Sequence, residues 1–403
     1  MPRVLFLNLD ELLHDSKVEA LLSYYPQRYL LRANPGDIVV VPDPVDADFV
    51  AYARSVKKLA APENWLVVTG RNSGALCSSR SLFESGAPLA RLKKLVKKGG
   101  YVFTPYLQTP KMLDVAQKLG LRPEAPAMSL PDAVNSGLTL ALNNKLYFKR
   151  LCRRNGVPVL PDYVCTTPEA ITAAAEKLGR GGRRVILKKT RAAGGYGNIS
   201  GTAAELAANI ALWRKWDEVL VEPHLGDERV VGALALLDAD GVKFLGLDRQ
   251  DCVNDAWNGC EFPYSGRGAA EVKRHTLRLA RLLWKEGLRG EMDLDWFATP
   301  RNGVFAIECN FRDNGFGYIL ELARDAFGLP PARTHARYWA ALKLGQPSLR
   351  LIAEKISALN AGTRRGGAIL CGKPKNGRVG VLAAADSAAA LRRLSRAIIK
   401  ELS

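Results

Sequence analysis

The chain has 403 residues, 47% of them hydrophobic and 24% charged, with a formal net charge of +18. That length carries two or three packed domains, and the composition is ordinary for a soluble globular protein. Seven cysteines with no CxxC pair, and only four histidines, argue against a disulfide framework or a zinc site. No run of about twenty apolar residues suggests a membrane span. The apolar stretch Val4 to Leu7 is too short for a signal peptide and is followed by Asp10 and Glu11. A reduced cytoplasmic location is therefore expected. The positive charge leaves open nucleic acid, an anionic surface or polyanionic small substrates as partners. Residues 346–403 hold eleven Lys or Arg against three acids, and this is read as a solvated face.

In chain order, Val4–Leu7, Asp37–Val41, Trp65–Thr69 and Tyr101–Phe103 read as buried strands. Helical patterns such as Leu89–Lys98 lie between them. This alternation predicts an α/β domain with a mostly parallel sheet. Residues 122–136, with Pro123, Pro126 and Pro131, read as a linker. A second α/β unit begins near Asn143, with one helix ending at Asn155–Gly156 and another over Pro168–Leu178. The segment Asp248–Gly268 reads as a long loop, and the alanine-rich stretch Ala383–Ala390 as helical or helix-flanking.

Four features then stand in order: Asn143–Asn144–Lys145 at a helix start; the apolar run Val185–Leu187 with Lys188 and Lys189 after it, followed by Gly194, Gly195 and Gly197; Val219–Val221 ending in Glu222, Pro223, His224 and Leu225, with Asp227 and Glu228 beyond; and Asp295 on one strand with Glu308, Asn310 and Arg312 closing the next. Lysines counter phosphate charge. A glycine-rich turn lets backbone N–H groups approach phosphate oxygens. Asp295, Glu308 and Asn310 offer only oxygen donors of the kind Mg²⁺ prefers. Arg312, two residues past Asn310, shares its face on an extended segment and can hold a phosphoryl group or carboxylate. Asp293 and Glu291 share the face of Asp295 and are spare candidates. Lys188 and Lys189 alternate faces, so one of them serves.

This order resembles the ATP-grasp superfamily of carboxylate–amine and carboxylate–thiol ligases over roughly residues 143–320. The resemblance implies an N-terminal Rossmann-like parallel-sheet domain (residues 1–142), an ATP-grasp domain (143–345) with a small lid at about 183–222, and a short basic C-terminal element (346–403). It implies ATP and Mg²⁺ or Mn²⁺ as cofactors. ATP binding would fall to Lys145, Lys188, Gly194, Gly195, Gly197, Glu222, Leu225 and Glu228; the spacing to Gly197 selects Lys188. Asp295, Glu308 and Asn310 would hold the metal, and Arg312 and Lys188 would be catalytic. Arg249, Asn314 and Gly315 are candidates for substrate contact, the last two in the turn Asp313–Gly317.

The implied reaction activates a carboxylate as an acyl phosphate and joins it to an amine, releasing ADP and phosphate. A thiol acceptor is the alternative. A basic nucleic-acid-binding protein is the reading from another class, but no helix-turn-helix, RNP motif or aromatic–basic interleaving is present. Partners are thus expected to be small carboxylates and amines, with no specific nucleic acid, and homo-oligomerisation is a further expectation.

Overall fold

Short apolar strands alternating with helices bury both faces of a sheet, and the first four strands do so. In the computed structural model β1 (Arg3–Phe6), β2 (Ile38–Pro42), β3 (Leu66–Thr69) and β4 (Val102–Pro105) pair in parallel in the order β3-β2-β1-β4. Val4, Phe6, Ile38 and Val40 enter one core, and Leu5, Leu7, Val39 and Val41 enter another on the opposite face, as period-two alternation requires. Helices α1 (Tyr25–Arg32), α2 (Ala47–Lys57), α3 (Gly86–Val96) and α4 (Pro110–Lys118) accompany this sheet. The structure describes residues 1–12, 25–43, 45–69, 86–192, 197–209, 218–226, 229–300, 303–345 and 348–402.

The segment read as a linker contains α5 (Pro131–Asn135), followed by α6 (Leu138–Ala141) and α7 (Lys145–Arg154). The Asn144 side chain caps α7, accepting from the N–H groups of Leu146 at 2.9 Å and Tyr147 at 3.1 Å, which satisfies donors that lack an intrahelical acceptor. A small antiparallel sheet follows: β5 (Tyr163–Cys165), β6 (Val185–Lys189), β7 (Ile199–Gly201) and β8 (Val219–Pro223), in the order β5-β8-β6-β7. α8 (Pro168–Leu178) and α9 (Ala203–Ala208) cover it, with Ile171, Ala174 and Leu206 packed on Val185, Leu187 and Val221. This layer begins at Tyr163, ahead of the stretch expected to form the lid.

The third sheet has eight antiparallel strands: β9 (Arg229–Asp238), β10 (Gly241–Val253), β11 (Ala256–Phe262), β12 (Gly290–Ala298), β13 (Val304–Asn310), β14 (His335–Lys343), β15 (Gly366–Leu370) and β16 (Arg378–Ala385). Their order is β13-β12-β9-β10-β11-β14-β16-β15. α10 (Ala269–Lys285) packs through Val272, Leu279 and Leu283 on Met292, Leu294 and Trp296. α11 (Gly315–Phe327) packs instead in the core shared with the first domain. α12 (Leu349–Ala361) and α13 (Ala388–Leu402) close the far end.

Two readings are corrected. Asp248–Gly268 is not a loop: β10 and β11 form a hairpin, turned by Asn254 (φ 51°) and Asp255 (φ 61°), the positive-φ pair that two-residue hairpins demand. Ala383–Ala390 is split, because Ala383–Ala385 lie in β16 and the helix begins at Ala388. Small side chains suit a strand covered on both faces. Since β16 pairs with β14, residues 348–402 complete the large sheet.

A buried ion network joins the first domain to α11. Arg3 reaches Asp37 at 2.8 Å and Glu321 at 2.5 Å. Arg32 holds Glu321 at 2.6 Å and also pairs with Asp313, which accepts a further bond from the Tyr29 hydroxyl.

Candidate active site

The alternation of β12 builds the floor of a cleft. Met292, Leu294 and Trp296 enter the core beneath α10, so Asp293, Asp295 and Phe297 turn the other way and line the cleft. β13 does the same with Glu308 and Asn310, while Cys309 joins the core. Register sets Asp295 opposite Glu308 and Asp293 opposite Asn310. The Asn310 amide donates to Asp295 at 3.1 Å, and Gln250 from β10 donates to its other oxygen at 2.5 Å. That reach crosses β9 at Gly232, whose N–H donates to Asp248 at 2.8 Å. A Cβ at Gly232 would fall 2.4 Å from the Asp248 carboxylate, so only glycine lets Asp248 and Gln250 lean over the strand. Asp248, Gln250 and Gly232 were not singled out by the sequence reading. A glycine inside the apolar run Val230–Leu237 was the available signal.

One wall comes from the small sheet, through Ile186, Lys188 and Pro223, with α7 behind it. Lys188 Nζ sits 2.8 Å from Glu222 and over the Phe297 ring at 5.5 Å. Lys149, another residue the sequence reading missed, pairs with the second Glu222 oxygen and lies 3.0 Å from Asp162. It is one helical turn past Lys145, on the same face of α7. Lys145 itself pairs with Glu308. Burial alone would raise Glu222, but the two lysines outweigh it and bring its pKa down to about 2. His224 donates its backbone N–H to the Arg184 carbonyl at 3.0 Å, so the next N–H along this segment is that of Leu225, which lines the cleft. Gly197 follows β6 with a φ of 78°. Gly194, Gly195 and Glu228 lie outside the described residues.

Arg312 is buried at the far side of the floor. Its Nε donates to the Tyr106 hydroxyl at 3.1 Å, and one Nη donates to Asn143. The Asn143 amide in turn donates to the carbonyls of Thr139 at 2.9 Å and Phe311 at 3.2 Å. Of the Asn143–Asn144–Lys145 start, one residue therefore steers Arg312, one caps the helix and one meets Glu308. Asn314 caps α11 by accepting from Gly317 N–H at 2.7 Å, and Gly315 lies against Trp257 in the cleft. The expectation for Arg249 is corrected. It alternates with Asp248 and Gln250, so it faces the other side of the sheet, where it pairs with Glu261 at 2.8 Å.

The floor holds more acid than the chain's own cations neutralise. Burial, then the charge of Glu308, pushes Asp295 well above the ordinary carboxylate range. Burial, then Asp295, does the same to Asp293, and burial takes Asp248 to about 6. Burial would raise Glu308 too, but Lys145 overcomes it and holds the group low. Opposed carboxylates so arranged need a proton or a cation between them. Among the described residues no group of three His, Cys, Asp or Glu is placed to hold a metal ion. Two carboxylates and an amide oxygen are the donor set that suits Mg²⁺ held jointly with phosphates and water.

The pre ATP-grasp domain family matches residues 26–121. No curated protein matches the sequence. Among solved structures, the N5-carboxyaminoimidazole ribonucleotide synthetase of Thermus thermophilus superposes with a TM-score of 0.60 at 17% identity, over 99% of this chain and 98% of that one. The ADP complex of the Staphylococcus aureus N5-carboxyaminoimidazole synthetase gives 0.61 at 14%, over 98% and 97%. The biotin carboxylase of Campylobacter jejuni gives 0.61 at 14%, over 100% and 92%. The likeness sets the fold: the chain shares the ATP-grasp architecture of these enzymes over nearly its whole length. In front of it stands a pre ATP-grasp domain, here the β1–β4 sheet and its helices.

Proposed function

We propose that the chain is an ATP-dependent ligase that activates a carboxylate as an acyl phosphate and transfers the acyl group to an amine, releasing ADP and phosphate. The observation that carries this reading is the convergence of Asp295, Glu308, Asn310 and Arg312 on the floor of one cleft that Lys188 also lines. In this reading residues 1–142 are the preceding domain and 143–345 the ATP-grasp unit, with a lid at about 183–222. Residues 346–403 are a basic C-terminal element.

Adenine would lie against Glu222 and the N–H of Leu225, and Lys145, Lys188 and the glycines Gly194, Gly195 and Gly197 would take the phosphates, with the ribose at Glu228. Asp295, Glu308 and Asn310 would hold Mg²⁺ or Mn²⁺, which supplies charge neutralisation on the phosphates when bound. A substrate carboxylate oxygen attacks the terminal phosphorus while the bond to ADP breaks. Arg312, fixed by Tyr106 and Asn143, holds the group in flight by two parallel bonds. The amine then attacks the acyl carbon, phosphate departs with its bonding pair, and the nitrogen sheds a proton. Asn314 and Gly315 border the place where the acyl group would sit. The small sheet closing over the floor excludes the water that would hydrolyse the intermediate.

The test is nucleotide product analysis with a panel of carboxylates, using hydroxylamine to trap the activated acyl group. ADP and phosphate in step with hydroxamate are expected. Stoichiometric AMP would overturn the acyl-phosphate reading.

A further inference from the structure

Arg28, on α1 of the first domain, is 7% exposed and lines the cleft. One Nη donates to the carbonyl of Asn314, and its guanidinium lies over the Tyr318 ring at 4.4 Å. Its Nε is buried with no hydrogen-bond partner, and no carboxylate among the described residues forms an ion pair with it; Glu291, which accepts from the Asn314 amide at 3.4 Å, feels its charge only from farther off. A buried guanidinium without an acid is uncommon because burial of a charge demands pairing. Its neighbour Arg32, one helical turn along, shows the ordinary outcome, with Asp313 and Glu321 both attached.

A second donor set faces the same place. The first turn of α11 leaves backbone N–H groups without intrahelical acceptors. Asn314 takes that of Gly317, while Gly315 and Phe316 line the cleft. The positive end of this 13-residue helix adds to the charge of Arg28. Arg312 is joined to the same turn, since its carbonyl accepts from the Asn314 amide at 3.2 Å.

We propose that Arg28 and the first turn of α11 form a binding site for an oxyanion of the non-nucleotide substrate, separate from the triphosphate site. The proposal rests on the ligase reading for the word substrate, but not for the anion. It makes that substrate one with a carboxylate or phosphate group held by the first domain. Arg28 is then a specificity residue.

The full chain is titrated calorimetrically with succinate and, separately, with inorganic phosphate, with and without a saturating non-hydrolysable ATP analogue and Mg²⁺. The wild type binds at least one anion, and does so with the analogue present. In Arg28→Gln the affinity falls at least about tenfold, and in Arg28→Lys it falls less, since charge remains but the planar fork is lost. A preference for succinate marks a carboxylate ligand, and a preference for phosphate a phosphorylated one. If Arg28→Gln fails to fold, Arg28→Lys decides: weaker binding supports the site and unchanged binding overturns it. No anion binding by the wild type, equal binding in the variants, or competition with the analogue also overturns it. Failure of the analogue to bind would strike the ligase reading alone, because the anion titration stands without it.

Discussion

Two clusters of buried charge meet around residues 291–321 and are wired in opposite ways. Where α1 meets α11, each carboxylate has an arginine: Asp37 has Arg3, Asp313 has Arg32, and Glu321 has both. Burial would raise Glu321, but Arg32 and Arg3 bring it to about 2. On the cleft floor Asp293, Asp295 and Asp248 face one another and all three pKa values move up. The first cluster is complete within the chain and acts as a clamp. The second is complete only with protons or an outside cation, which is the condition of a binding site. Arg28 is the same contrast with the sign reversed.

Breaking the floor has the largest expected effect. Asp295→Asn and Glu308→Gln should each lower ADP release by at least about 100-fold, as loss of a group that stabilises transferring charge does. Asp295→Asn should still melt cooperatively, because the amide keeps the side chain's shape and one of its two acceptors. Wild-type turnover in either variant would end the contrast between the two clusters. Breaking the clamp comes next. Arg32→Ala strands Asp313 and half of Glu321 and should cost about 3–5 kcal/mol in denaturant unfolding. A change within error would make the clamp dispensable.

Glu291 lies between the clusters and gives the smallest effect. Burial raises its pKa to about 7, with Asp313 and Glu321 adding to the rise and Arg32 opposing it. The fold therefore favours its protonated form. That contribution is complete below about pH 4.5, the unfolded value, and is lost as pH climbs through 7. Glu291→Gln should flatten the stability profile across that window by on the order of 1–3 kcal/mol. Parallel profiles for wild type and variant would show that Glu291 is ionised throughout.

The cleft floor was legible because its chemistry rides on strand periodicity: Asp295, Glu308, Asn310 and Arg312 sit at alternate positions between apolar neighbours. The strands and helices of the first domain were legible for the same reason. The partners of those residues were not, because they arrive from distant segments. Tyr106 on Arg312, Lys149 on Glu222 and Gln250 on Asp295 depend on tertiary approach that no local pattern encodes. The β10–β11 hairpin was hidden by its polar cleft-facing positions, although Asn254–Asp255 is a turn signal. Arg249 was misplaced for want of a strand assignment, since once β10 is a strand its face follows from Asp248 and Gln250. The antiparallel order of the large sheet depends on pairings between distant strands, which the alternation of elements did not encode.

The hydroxyl of Tyr106 gives the boundary between the two domains a consequence for inheritance and engineering. Arg312 is aimed by the hydrogen bonds it donates to Asn143, just before α7, and to Tyr106, just after β4 of the parallel sheet. Recombination that grafts a different parallel α/β unit in place of the β1–β4 sheet could keep every core residue of the large sheet and still misalign the guanidinium. The two domains therefore have to be exchanged as a matched pair, and viable chimeras should cross over within a domain while preserving Tyr106, Asn143 and Arg312 together.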